Sequence, residues 1–334
     1  MRFANNTPLP AVMIPNAEQD DRVTAIFLAA ITYRIVRGRL TVAPAQRPLL
    51  LDPQLPYPHD GMLLKTAASV CATGYVYPPQ GRAREATAIL RVGDRDATIA
   101  AFGTRVWRRS MGGGLKPSAP LPFERVEMTW QNAYGGTTKE PARVVRIDGD
   151  GEEAFLPEHE SGYPYNFEGK GFVPDAARAI DQPLPQLEDP ERLLQHWDDH
   201  PEPVCFAPYP LWGGLRAVHV WHDQQFDPDK AGKLASRAAP RTTFDAIPPG
   251  TRIALGGMRP DGEALVFEAP PSPVAVNLKV GSNSDRLLPV LDAVDIDADA
   301  AEVRLLWRAR VTYDLVQFEH RRARLEPTDD FPPG

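Results

Sequence analysis

Proline constrains this chain more than any other residue. It fills 36 of 334 positions, about twice the usual ~5%. Each proline fixes φ and removes a backbone donor, so long helices are excluded over most of the sequence. Glycine takes 25 further positions. Together the two stay under the ~25–30% share that marks low-complexity disordered sequence, and a hydrophobic content of 43% supplies a core. A globular, turn-rich protein is expected, with about two domains at roughly 150 residues each.

The formal charge is −7, so no global positive field draws the chain to nucleic acid or anionic lipid. Only seven of the 37 basic residues are Lys, a bias toward planar, bidentate Arg contacts that genome composition explains equally well. Cys71 and Cys205 are too far apart for a disulfide framework or a metal spacing and read as small buried hydrophobes. The N-terminal residues lack the apolar stretch of a secretory signal, and the longest apolar run, 25–31, is far short of a bilayer span. A soluble cytoplasmic protein with no membrane insertion is expected.

Runs rich in β-branched and aromatic residues at 23–42, 69–77, 87–92, 97–102, 104–107 and 126–134 predict short strands. Gly38 suggests a hairpin or bulge, and Pro78-Pro79-Gln80-Gly81 and Gly93-Asp94 are turn signals. Strand character returns at 252–255, 264–267, 274–280 and 302–318. The fold class is therefore mainly β, an antiparallel β-sandwich or barrel-like architecture with long Pro/Gly-rich loops and two or three short helices. The organisation reads as an N-terminal β region (1–147), a loop-rich segment with short helices (148–249) and a C-terminal β region (250–334), the two β regions forming one unit or two. Asp189-Pro190-Glu191 and Asp227-Pro228-Asp229 each place an Asp at an N-cap and a Pro at the first helical position, predicting helices of two to three turns, the second running to about Ala238. The residues of 23–33 recur at an offset of 280, Val23, Phe27, Ala29, Thr32 and Tyr33 becoming Val303, Trp307, Ala309, Thr312 and Tyr313. Two equivalent strands, one per sheet or subdomain, would produce this echo, as would coincidence between two β-rich segments. The tail from Pro327 is expected to fray.

No catalytic constellation emerges. His196, Asp198, Asp199 and His200 are the densest potential metal ligands, with His219 and His222-Asp223 nearby, but neither spacing matches a known site and Pro201 ends any helix at once. A solvated acidic helix end is the simpler reading, and no cofactor or metal is assigned. Glu152-Glu153, Glu158 and Glu160 are the loop carboxylates a glycoside hydrolase would need, though loop solubility accounts for them. Gly112-Gly113-Gly114-Leu115-Lys116-Pro117 lacks the phosphate-loop spacing. Arg105-Val106-Trp107-Arg108-Arg109 reads as a strand edge with Arg stacked on Trp rather than a nucleic-acid strip.

The most specific features are turn phrases, and in their order they resemble the bacterial family catalogued as domain of unknown function 2169. They comprise Asn6-Thr7-Pro8, the strand 26–33, His59-Asp60, Lys65, Gly74, Gly103-Thr104-Arg105-Val106-Trp107, Ala133-Tyr134-Gly135-Gly136, Asn166 with Gly169, Gly171 and Phe172, Ala238-Ala239-Pro240, Met258-Arg259-Pro260-Asp261-Gly262, and 303–308. Thr104, Phe167, Trp130-Gln131 and Arg241-Thr242 depart from the family pattern. The resemblance implies a non-enzymatic adaptor or chaperone of type VI secretion, which helps to load a toxic effector, often with a PAAR-type tip domain, onto the VgrG spike. Its expected partners are that effector, a PAAR-type protein or VgrG. Arg105, Trp107, Trp130, Tyr134, Trp212 and Arg216 are of the types found at interface hot spots and also of the types that lock turns. Gly135, Gly136, Gly169 and Gly171 read as backbone requirements. The alternative function is a β-sandwich carbohydrate-active enzyme or glycan-binding protein.

Overall fold

The structure is a computed structural model that describes residues 1–17, 22–147, 152–210, 221–222, 225–226, 232, 235–280, 282–314 and 321–332. Its main strands in the first hundred residues are β1 (Arg2–Asn5), β2 (Ala11–Ala17), β3 (Arg22–Val36), β4 (Arg39–Val42), β5 (Ala68–Thr73), β6 (Glu85–Val92) and β7 (Arg95–Phe102). After a long stretch of loops and two-stranded ribbons come β8 (Leu187–Glu188), β9 (Thr243–Phe244), β10 (Arg252–Gly256), β11 (Leu265–Glu268) and β12 (Val274–Val280). The chain finishes with β13 (Asn283–Leu287), β14 (Val290–Asp297), β15 (Glu302–Asp314) and β16 (Arg321–Pro327).

These strands form three sheets. The largest runs β2-β3-β15-β14-β5-β9, with β4 also paired to β3; the second runs β8-β7-β6-β10-β11; the third runs β1-β16-β12-β13. Pairing is antiparallel apart from β14 with β5 and β1 with β16. The protein is thus mainly β and sandwich-like. One core takes side chains from all three sheets, including Phe27, Ile31 and Trp307 from the first, Leu90 and Ile253 from the second, and Val276 and Leu325 from the third. In β6, exposed and buried residues alternate strictly, the mark of a strand with one wet face. β3 instead buries eleven residues in succession. Its other face, with Leu28 and Ala30, joins Leu306 and Ala293 in a second cluster capped by Val12, Ile14 and Leu49.

The hairpin between β3 and β4 turns at Arg37 and Gly38, both with positive φ (49° and 79°), the pattern that matches strand twist in a two-residue loop. The sequence echo has a direct structural counterpart. β3 and β15 are adjacent at the centre of the largest sheet, so the equivalent strands share one sheet instead of occupying one each. Val23 lies opposite Tyr313 and Tyr33 opposite Val303, so exchanging the two strands maps each pair onto the other. Each is also preceded by a hairpin partner, β2 for β3 and β14 for β15.

Several expectations are corrected. No helix follows Asp189: its Oδ1 accepts from Glu191 N, and Glu188 Oε2 takes Leu194 N, which winds the chain into turns. The one described α-helix with named bounds is Ala176–Ala179, capped by Asp175 Oδ1 on Arg178 N. The helix expected from Asp227 falls mostly outside the described residues, and 235–238 are bend and turn. Within 126–134 the chain forms a 3-10 turn at Trp130–Asn132 instead of one strand. The strand expected at 104–107 begins at Trp107 and runs to Arg109. The tail does not fray at Pro327: Thr328 N donates to Pro273 O at 2.9 Å and Phe331 packs on the core. Both cysteines are buried.

Candidate functional site

Four of the six candidate contact residues turn inward. Trp107 and Tyr134 share a small core with Tyr163, Val173 and Leu184. The Tyr134 hydroxyl donates to Asp199 O at 2.9 Å and lies 3.1 Å from His200 Nδ1. Trp130 Nε1 donates to Ala207 O at 3.1 Å, and its ring sits 4.5 Å from that of Tyr209. Arg105 is buried against Glu188, donates to Pro185 O at 2.8 Å and stacks over Phe102. Buried side chains of this kind fasten loops and offer no surface to a partner. Trp212 and Arg216 lie outside the described residues, as does His219.

The glycines lie in the same knot. Strand 134–135 runs parallel to 170–171, and Asn166 Nδ2 ties both sides by donating to Trp130 O (2.8 Å) and Tyr134 O (3.0 Å). Gly135 has φ +147°, and a Cβ there would fall 2.1 Å from Asn166 O. A Cβ at Gly136 would fall 2.8 Å from Gly169 O, at Gly169 2.5 Å from Asn166 Nδ2, and at Gly171 2.7 Å from Pro185 Cδ. Asp199 Oδ2 is occupied by Gln195 N and His196 N. Of the loop carboxylates, Glu160 lines a hollow of about 390 Å³ with Glu168 and Phe167.

A different set of residues forms the most concentrated chemistry of the chain. The second face of the largest sheet carries a polar row, in which Thr32 of β3 lies opposite Arg304 of β15, Arg304 opposite Asp295 of β14, and Asp295 opposite Cys71 of β5. The loop between β4 and β5 folds over this row and inserts Asp60. Arg304 binds Asp60 through two nitrogens (2.9 and 3.1 Å), Arg237 binds it at 3.0 Å, and Leu50 N donates to it at 2.7 Å. Arg237 and Arg304 also reach Asp295, at 3.0 and 3.3 Å. Alongside, Asp292 accepts from Lys65 Nζ at 2.9 Å and Arg308 Nε at 3.0 Å, while Arg308 Nη2 donates to Asp60 O at 2.7 Å and links the two halves.

Apart from Asp295, the charged members of the network are buried. Burial alone would raise the Asp292 carboxyl, but Lys65 and Arg308 outweigh it and hold the group below the ordinary aspartate value. Burial lowers the Lys65 ammonium, and Asp292 only partly restores it. Four cations, Lys65, Arg237, Arg304 and Arg308, face three carboxylates, Asp60, Asp292 and Asp295, which leaves one positive charge in excess in a low-dielectric interior. Among the described residues, Arg237 Nη1 and Trp307 Nε1 are buried without a hydrogen-bond partner.

A cleft of about 860 Å³ opens over one half of this network. Lys65, Asp292, Trp307 and Arg308 are at its base; Pro248, Pro249, Pro270, Pro271 and Pro289 wall it. Leu288 and Val290 on its lining are 64% and 69% exposed. A smaller cavity of about 290 Å³ reaches the other half beside Arg237, Arg304, Tyr57 and Cys71. Sequence reasoning did not single out these residues as a site. Two signals were present: His59-Asp60, Lys65 and the 303–308 strand are all in the family phrases, and Arg304 and Arg308 interrupt an otherwise apolar run at 303–309.

Fold and site together define a mainly antiparallel β protein whose central sheet is clamped by a buried Arg-carboxylate network under an open, proline-walled cleft. A family profile described as an uncharacterized protein conserved in bacteria (DUF2169) matches residues 20–308, and the chain belongs to that family. No curated protein and no solved structure matches it. Among the described residues, no helix is long and apolar enough to cross a membrane.

Proposed function

We propose that the chain is a non-enzymatic adaptor or chaperone of type VI secretion, which binds an effector toxin, with or without a PAAR-type tip domain, and helps to load it onto the VgrG spike in the cytoplasm. The observation that carries the binding role is the cleft. Large apolar side chains exposed on the lining of a concave, preformed surface are the usual mark of a protein-recognition site. Leu288 and Val290 meet that description, on the lining of a cleft whose base holds the bonded Lys65, Asp292 and Arg308. The secretion context comes from the family resemblance.

The test is affinity purification of the tagged chain from its native host at mild salt, with mass spectrometry of what accompanies it. Recovery of an effector, PAAR-type protein or VgrG is the expected result. Deletion of the gene is expected to abolish effector export while the effector remains in the cell. A chain that retains no protein, with export unaffected by deletion, overturns the proposal, and a screen against glycans then follows.

A further inference from the structure

We propose that the smaller cavity, on the Arg237 side of the ion network, is a binding site for a small neutral molecule that carries a carboxamide edge on an apolar body. The site lies apart from the cleft and does not depend on the adaptor reading.

Polar groups on the lining of this cavity of about 290 Å³ have bonding capacity to spare. Arg237 and Asp295 meet at one corner only: Nη2 donates to Oδ2 at 3.0 Å, and Arg304 Nη2 shares the same oxygen at 3.3 Å. Arg237 Nη1 is left buried without an acceptor, and Asp295 Oδ1 receives no donor among the described residues. The Tyr57 hydroxyl likewise makes no hydrogen bond among them, and burial holds it above the ordinary tyrosine value, so it stays protonated. A buried donor without an acceptor is costly, and an occupant that accepts from it removes that cost.

Charge argues against an ion. Three guanidiniums line the cavity, Arg47, Arg237 and Arg304. Arg47 is answered by Asp297 at 2.8 Å and Glu302 at 3.2 Å, and Glu302 also lies 3.7 Å from Arg34. Arg237 and Arg304 are answered by Asp60 and Asp295. Arg34, Arg47, Arg237 and Arg304 thus face Asp60, Asp295, Asp297 and Glu302, charge for charge, and the matching occupant is neutral. Pro48, Leu50, Pro208 and Ile296 supply apolar wall, against which the many hydroxyls of a sugar would be left unpaired. A mostly apolar hollow with a few convergent polar groups is the usual form of a small-molecule pocket. A carboxamide sets an acceptor oxygen and N–H donors on neighbouring atoms, the two partners that Arg237 Nη1 and Asp295 Oδ1 lack, and Tyr57 adds a third bond.

The probe is benzamide, titrated into the full chain and followed by ligand-observed NMR and by the urea midpoint. Benzamide is expected to bind and to raise the midpoint, because it bridges the loop that carries Tyr57 and the sheet that carries Asp295. Benzoate sets an anion beside Asp295 and benzamidinium a cation beside Arg237, and each is expected to bind at least roughly tenfold more weakly. N,N-dimethylbenzamide, which has no N–H for Asp295, should also bind more weakly than benzamide. Tyr57→Phe removes a hydroxyl that has no hydrogen bond among the described residues. The variant should therefore fold as the parent does and weaken benzamide roughly two- to tenfold, the worth of one hydrogen bond. Equal binding of benzamide and benzoate, a preference for glucose, indifference to Tyr57→Phe, or flat titrations with every probe overturns the inference. Capture of a secretion component from the host is read separately, so none of these results decides the adaptor reading.

Discussion

Arg304 grips Asp60 through both terminal nitrogens, at 2.9 and 3.1 Å, across 244 positions of sequence. Asp60 also accepts from Leu50 N and from Arg237, so one carboxylate fastens the loop before β5 to the central sheet. Replacing Asp60 by Asn leaves two buried guanidiniums short of a charge. A loss of about 3–5 kcal/mol is expected, the usual cost of breaking a buried pair from one side. Urea denaturation followed by tryptophan fluorescence measures it; a loss under about 1 kcal/mol, the range of a surface pair, would contradict the clamp.

Lys65 and Asp292 differ in what their removal leaves behind. Asp292→Ala strands both Lys65 and Arg308 and is expected to cost about 3–5 kcal/mol. Lys65→Met keeps the Asp292–Arg308 pair and removes the excess charge of the network, so its cost should be clearly smaller. Comparing the two urea midpoints decides the matter, and the reverse order would show that Lys65 is the indispensable cation.

Acid should act in two stages. Burial holds the Glu188 carboxyl above its ordinary 4.5 in spite of Arg105. The folded form therefore binds that proton more tightly, and from the raised value down to 4.5 this group adds stability as pH falls. Asp292 behaves oppositely. Its folded value lies below the ordinary 3.8 because Lys65 and Arg308 outweigh burial, so its contribution is complete above 3.8 and disappears as pH falls through the depressed value. Asp189, paired with Arg241, adds to the same loss. Urea midpoints measured from pH 6 to 3 should hold or rise slightly toward 4.5 and then drop below 3.8. In Glu188→Gln the first stage should vanish and the second remain.

The glycine knot makes a sharp contrast with open turns. Gly135→Ala forces a Cβ to within 2.1 Å of Asn166 O at φ +147°, so the backbone itself must shift; a loss above about 3 kcal/mol is expected for combined strain and clash. Gly113, at φ +86° with nothing within 4 Å, bears only the left-handed penalty of about 1–2 kcal/mol. Thermal unfolding of the two Ala variants checks the order.

Strand runs with alternating or continuous apolar patterns, such as 87–92 and 274–280, were legible in the sequence because local burial and turn chemistry dictate them. The echo between 23–33 and 303–313 was legible too, although only the structure shows the two copies side by side. Asp189-Pro190 misled because the cap signal for a helix and for an Asx turn is the same, and the buried Glu188 decided for the turn. The ion network was illegible as a site for a simpler reason. Asp60, Lys65, Arg237, Asp292, Asp295, Arg304 and Arg308 are scattered along the chain, and each alone looks like an ordinary surface charge. Trp107 and Tyr134 look like interface residues until the fold buries them.

The central pairing of β3 with β15 also sets a timetable. Some 265 residues separate the end of one strand from the start of the other. At a synthesis rate of about 5–20 residues per second, β3 emerges from the ribosome roughly 13 to 50 seconds before its neighbour exists. For that interval one of the most apolar strands of the molecule has an open flank, and the nascent chain depends on being shielded until β15 arrives.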